Sequence, residues 1–177
     1  MPSNKPTPIL FISLDNTVRL GPPEHPINSP ADVELYPGVL PLLQDYKSKG
    51  WRLVGVCHYG DIALGKLDES TANRIMQETN RLCANLFDVL MYCSHHPEAV
   101  GDTKEETLEL SECFCRQPMP GLIFNAIYGM SQQYDEYYRP WTCLYVGDFD
   151  TPSNWQVADY AGIKFMDAKE WRKKSTA

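Results

Sequence analysis

With 177 residues, 43% of them hydrophobic and 22% charged, the chain has the balance of a globular domain long enough to bury one full core. Its formal net charge of -7 argues against a nucleic-acid or anionic-membrane partner, since either would want a basic face. Residues 1–8 are polar and proline-containing and read as a flexible N-terminus, and no later stretch is apolar enough to span a bilayer. The expected location is therefore cytoplasmic, where the 6 Cys are metal ligands or reduced core residues rather than disulfides.

In chain order, the run from Ile9 to Ile12 leads into Ser13, Leu14, Asp15, Asn16 and Thr17 and predicts a parallel strand buried on both faces. Ligands of such sheets bind outside the carboxyl ends of the strands, which puts Ser13, Asp15 and Thr17 where chemistry is expected. The segment from Val18 to Glu34 is rich in Pro and Gly and should loop over the mouth of that strand. Helical spacing over 38–49 stops at Gly50, and Arg52 to Cys57 is a second strand ending at His58. A long amphipathic helix spans Glu69 to Leu86, followed by a strand from Asp88 to Tyr92. Cys93 to Cys115 reads as a long polar loop, Pro120 to Met130 as a helix, and Ser131 to Pro140 as an exposed excursion. Thr142 to Val146 is a fourth strand closed by Gly147 and Asp148. A helix from Ser153 to Ala161, an edge strand from Ile163 to Met166 and a basic-ended helix from Ala168 to Lys174 complete the chain. Alternating strands and helices predict a doubly wound parallel α/β sheet of about five strands in a single domain over 9–174.

The pairs Cys93/His95 and Cys113/Cys115 stand at the two ends of the 93–115 loop. Four thiolate and imidazole donors are what a closed tetrahedral zinc site needs, and a metal across the base of so long a loop would offset its ordering cost. His96 is the weaker candidate, with a bland reading as a solvent-facing imidazole.

A hydrophobic strand ending in Asp-x-Asp-x-Thr is the first motif of the haloacid dehalogenase (HAD) phosphohydrolases, and Asp15 and Thr17 match it while Ser13 takes the first position. Cys93-Ser94-His95-His96-Pro97 and Cys113-Phe114-Cys115-Arg116-Gln117-Pro118 resemble the zinc loop of one capless branch. That branch includes the heptose-1,7-bisphosphate phosphatases and the histidinol-phosphate phosphatases. The likeness runs from Ile9 through Gly60 to Gly65 and Gly147-Asp148 to Gly162-Ile163. It implies a HAD-like Rossmannoid fold with no large cap domain, a structural zinc and a catalytic magnesium.

The resemblance also implies roles that these residues fit unevenly. The family's nucleophile and magnesium ligand is an Asp, whereas Ser13 offers a neutral hydroxyl that needs a general base and binds magnesium poorly. Asp15 keeps the acid/base position. The phosphoryl clamp, Thr or Ser followed by Asn, is Cys57 and His58, and a thiol is a weak donor. His58 could bind an anion or act as a base for Ser13; its bland reading is structural. The family's Lys is Gln117, which removes a fixed cation, with Arg116 as a partial substitute. Asp148 keeps one magnesium carboxylate, so magnesium should bind weakly, and either Asp150 or Asn154 would fill the second acidic position. Loss of nucleophile, clamp and cation together points first to a zinc-stabilised pseudophosphatase that binds a small phosphorylated molecule or a protein partner. The alternative is an active phosphohydrolase acting on a sugar phosphate or histidinol-phosphate type of metabolite.

Overall fold

The computed structural model describes residues 6–23 and 25–174. Strand β1 (Ile9–Ser13) is buried along its whole length and forms the middle of a five-stranded parallel sheet. Its neighbours are β4 (Arg52–His58) and β6 (Leu144–Gly147), with β5 (Val89–Cys93) and β7 (Lys164–Asp167) at the edges, in the order β5-β4-β1-β6-β7. Alternation along β1 divides the core. Leu10, Ile12 and Leu14 pack on one face with helices α1 (Val39–Ser48), α2 (Glu69–Leu82) and α6 (Ala168–Lys173). Ile9 and Phe11 pack on the other with α4 (Gly121–Tyr134) and α5 (Pro152–Tyr160). The sheet order reverses at β1, so the polar ends of β1, β4 and β6 open on one crevice.

Several elements differ from the sequence-based expectation. The 93–115 segment is not structureless: α3 (Lys104–Ser111) lies within it, begun by a capping box in which Thr103 and Glu106 satisfy each other's backbone. Helix α4 continues to Tyr134, and residues beyond it are tied down rather than exposed: Tyr138 is buried and Glu136 is paired with Arg52. Helix α2 ends at Leu82 because Ala84 and Asn85 take positive φ, which no helix continues. The Pro-rich stretch after Thr17 carries a two-stranded antiparallel pair, β2 (Arg19–Leu20) with β3 (Glu34–Leu35). Of the N-terminus expected to be flexible, residues 1–5 lie outside the described part. Thr7 and Pro8 are held by backbone hydrogen bonds with Tyr137 and Arg52. No described helix is long and apolar enough to cross a membrane.

Arg52 joins β4 to the segment after α4, donating to Asp88 at 3.0 Å and to Glu136 at 2.6 Å. The hydrogen bonds from Arg52 hold the Glu136 carboxyl below its ordinary 4.5. A carboxyl lowered on folding contributes stability above its unfolded pKa and loses that contribution as pH falls through the folded one. Glu136→Gln is therefore expected to flatten the acid limb of the unfolding midpoint below pH 4.5. An unchanged limb in a pH series of urea melts would refute the assignment.

Candidate strand-end site and metal cluster

Ser13 is the last residue of β1 and is almost fully buried. A cavity of about 210 Å³ opens beside it, lined among others by Asp15, Cys57, His58, Gln117 and Asn154. Gln117 Nε2 donates to the Tyr145 hydroxyl at 2.6 Å, and that hydroxyl donates to Asn154 Oδ1 at 3.3 Å. Ser13 lines the same cavity as Gln117 and Asn154. Burial pushes the Tyr145 phenol upward, so it stays neutral and the network carries no charge. Gly147 is needed here, because a Cβ would lie 2.8 Å from Asn154 Cγ.

Burial likewise pushes the Cys57 thiol up to about 12, and its Sγ lies against Met76 Sδ at 3.6 Å, so it is a packed thiol rather than a nucleophile. His58 Nε2 donates to the His95 carbonyl at 2.7 Å, which ties the ring to the segment after β5. Neither Lys nor Arg lines the Ser13 cavity.

Three residues singled out from sequence stand elsewhere. Thr17 is fully buried and lines neither described cavity. Arg116 turns back to the Ser111 carbonyl at the end of α3, at 3.1 Å. Asp148 accepts from Asp150 N and Thr151 Oγ1 inside its own turn and does not line the cavity. Of the two candidates for the second acidic position, Asn154 faces Ser13, while Asp150 pairs with Lys169 at the surface. The magnesium implied by the resemblance does not fit these residues. Ser13 supplies no carboxylate, Asp148 is held within its own turn, and no group of three or more acidic donors gathers among the described residues.

The second cluster does fit a metal. Cys93, His95, Cys113 and Cys115 offer donor atoms that all lie within 4.8 Å of one another. Cys93 Sγ is 3.6 Å from Cys113 Sγ and 3.1 Å from Cys115 Sγ, and His95 Nδ1 is 3.1 Å from Cys115 Sγ. The edges of a tetrahedron built on metal–sulfur bonds of about 2.3 Å are about 3.8 Å, near the 3.6 Å separation and somewhat longer than the two of 3.1 Å. Arg116 N donates to Cys113 Sγ at 3.3 Å, as a thiolate would favour. His96 is outside this set; its Nδ1 accepts from Glu98 N.

Two arginines that shape the site carried no motif in the sequence. Arg19 has a side chain without solvent exposure and donates through Nε to Asp15 Oδ1 at 2.8 Å. It also donates to Thr79 Oγ1 of α2 and to the Tyr59 hydroxyl. The Asp15-to-Arg19 spacing of four residues was the available signal, but it read as loop. Arg172 of α6 donates to the carbonyls of Asn16 and Thr17 and lies over the Tyr36 ring at 4.0 Å, propping the loop that follows Ser13. A larger cleft of about 810 Å³ adjoins the Ser13 cavity, shares Asp15, Asn16 and His58 with it, and is walled by residues of the Pro-rich segment.

A parallel sheet reversing at its first strand, with its polar residues gathered at the strand ends, is the architecture of the HAD superfamily. Over 117 residues, 64% of this chain and 70% of the other, it is 30% identical to a Thermoplasma volcanium protein named probable D-glycero-D-manno-heptose-1,7-bisphosphate 7-phosphatase. Over 123 residues it is 29% identical to the D-glycero-beta-D-manno-heptose-1,7-bisphosphate 7-phosphatase of Photorhabdus laumondii, covering 67% of this chain and 61% of that protein. The chain thus spans about three fifths of that curated relative. In structure it is similar to the D,D-heptose 1,7-bisphosphate phosphatase from B. bronchiseptica, solved with magnesium and phosphate. The TM-score there is 0.70 at 22% identity, covering 90% of this chain and 79% of that one. No family model matches the chain. The chain belongs to the heptose-bisphosphate-phosphatase-like family of the HAD superfamily.

Proposed function

We propose that this protein is a pseudophosphatase: a HAD-fold binding module that keeps the strand-end cavity but has lost phosphoryl transfer. The observation that carries this reading is the uncharged network of Gln117, Tyr145 and Asn154 beside Ser13, where nucleophile and cation would stand. Phosphoryl transfer depends almost entirely on positioning and electrostatic stabilisation, and loss of one donor costs on the order of 10²–10³ in rate. Two of the neighbouring groups are committed elsewhere: His58 donates its Nε2 proton to the His95 carbonyl, and the Cys57 thiol is packed against Met76.

Cys93, His95, Cys113 and Cys115 would hold one zinc with no open position, which makes it structural. The partner of the cavity is a small phosphorylated molecule or a protein, met in the cytoplasm. The names of the relatives support a second reading, hydrolysis of a sugar phosphate.

Turnover on heptose 1,7-bisphosphate, histidinol phosphate and p-nitrophenyl phosphate with magnesium present separates the two. The unmodified protein and Ser13→Asp are both expected to stay at background, because the cation and clamp are still missing. Robust hydrolysis abolished by Ser13→Ala would establish the second reading and make Ser13 a nucleophile.

A further inference from the structure

We propose that the aromatic face beside the Cys/His cluster is a docking surface for a basic protein segment. Phe114, Phe124 and Tyr128 form it, and the carboxylates of the adjoining 98–112 stretch supply its charge. None of the three rings lines either described cavity, so the partner of this face does not depend on whether the Ser13 site turns over.

Phe114 stands between Cys113 and Cys115, and its backbone is braced. Gly121 N donates to the Phe114 carbonyl at 2.9 Å, and a Cβ at Gly121 would collide with that carbonyl. The Phe114 ring is nevertheless 54% exposed and stacks on Phe124 of α4, with centroids 6.3 Å apart and planes 24° from parallel. Tyr128, 70% exposed, follows Phe124 one turn along the helix and continues the same face. Helix α4 carries no charged side chain over its 14 residues, in a chain of which 22% is charged. Large rings that are gathered and held in place, on an element depleted of charge, mark a contact surface rather than scattered surface hydrophobicity.

Charge selects the occupant. Residues 93–121 hold six acidic side chains against Lys104 and Arg116, a formal charge of -4 out of the chain's -7. Glu105, Glu109 and Glu112 make no ion pair among the described residues, and Arg116 donates to the Ser111 carbonyl instead. Helix α3 is only about 12 Å long and ends three residues before Phe114, so these carboxylates stay near the rings. Lysine and arginine suit both halves of such a face. Their heads pair with the carboxylates, and their cations and methylene stems lie on the rings. A second copy would bring the same negative segment, and a nucleic acid or anionic membrane would bring phosphates, so each is repelled.

Selection of a random dodecapeptide library, displayed on phage, against the unmodified protein tests this, with the enriched peptides synthesised and their affinities read by fluorescence anisotropy. Enriched peptides are expected to carry net positive charge and at least one aromatic or large aliphatic residue. Raising the salt to about 1 M, where the Debye length is about 3 Å, should weaken them at least tenfold. Phe114→Gln/Phe124→Gln and Glu109→Lys/Glu112→Lys should each do the same while still melting cooperatively. Ser13→Ala should bind the peptides unchanged. Should the phenylalanine variant fail to fold, Tyr128→Gln carries the same expectation at an exposed position. An unenriched library, enrichment of uncharged or acidic peptides, binding unchanged in the ring or glutamate variants, or binding lost in Ser13→Ala would each overturn the proposal. So would self-association in sedimentation velocity that disappears in Phe124→Gln, which would assign the face to a second copy.

Discussion

Replacing Cys113 with Ser is expected to lower stability by about 3 kcal/mol and the melting temperature by roughly 6–12 °C, with zinc content falling from one per chain toward none. Cys113 is the informative ligand because it is only half-buried, so the substitution opens no core cavity. Cys93, in contrast, sits in the core at the end of β5. The four donors join β5 to the segment entering α4, and between them lies only α3, which buries no residue fully and has little to hold it in place by itself. Metal ligation at a site absent from the unfolded chain contributes directly to folding, and the rest of the domain keeps its own core, so the loss is partial. Hydrogen exchange should show the effect concentrated over 93–121. Metal-free protein that melts like the purified form would sink the claim.

Asp15→Asn is expected to cost about 2–3 kcal/mol, and adding Arg19→Met to it should recover at least half of that. Breaking a buried ion pair from one side typically costs about 3–5 kcal/mol because it strands a desolvated charge, whereas removing both partners is often close to neutral. Here the stranded group would be Arg19, whose side chain has no exposure, and the partial exposure of Asp15 argues for the lower end. The neighbouring Tyr59 and Thr79 hydroxyls would still accept from the guanidinium but cannot neutralise it. Urea melts of both single variants and the double close the cycle. A double variant no more stable than Asp15→Asn would show that the pair is held by packing rather than by charge.

What the sequence determined by itself was whatever short-range pattern can encode. The apolar run from Ile9 to Ile12, flanked by helical spacing, was enough to place a buried central strand, and the donor pairs at 93/95 and 113/115 were enough to mark a cluster that could hold a metal. Ser13 at the end of that strand, and the uncharged residues at 57 and 117, were legible as departures from a motif. Helix α3 left a local trace, Thr103 with Glu106 three residues on, but too few apolar residues followed to outweigh the loop-like composition. Tertiary structure alone decided the rest. That Asn154 rather than Asp150 faces Ser13 depends on the direction in which α5 leaves β6. That Asp15 serves Arg19 depends on Thr79, 60 residues away, and that Arg172 props the loop after Ser13 depends on a contact across 155 residues. Partners so distant leave no periodicity in the chain, and a buried charge can be distinguished from a solvated one only when the side chains enclosing it are in place.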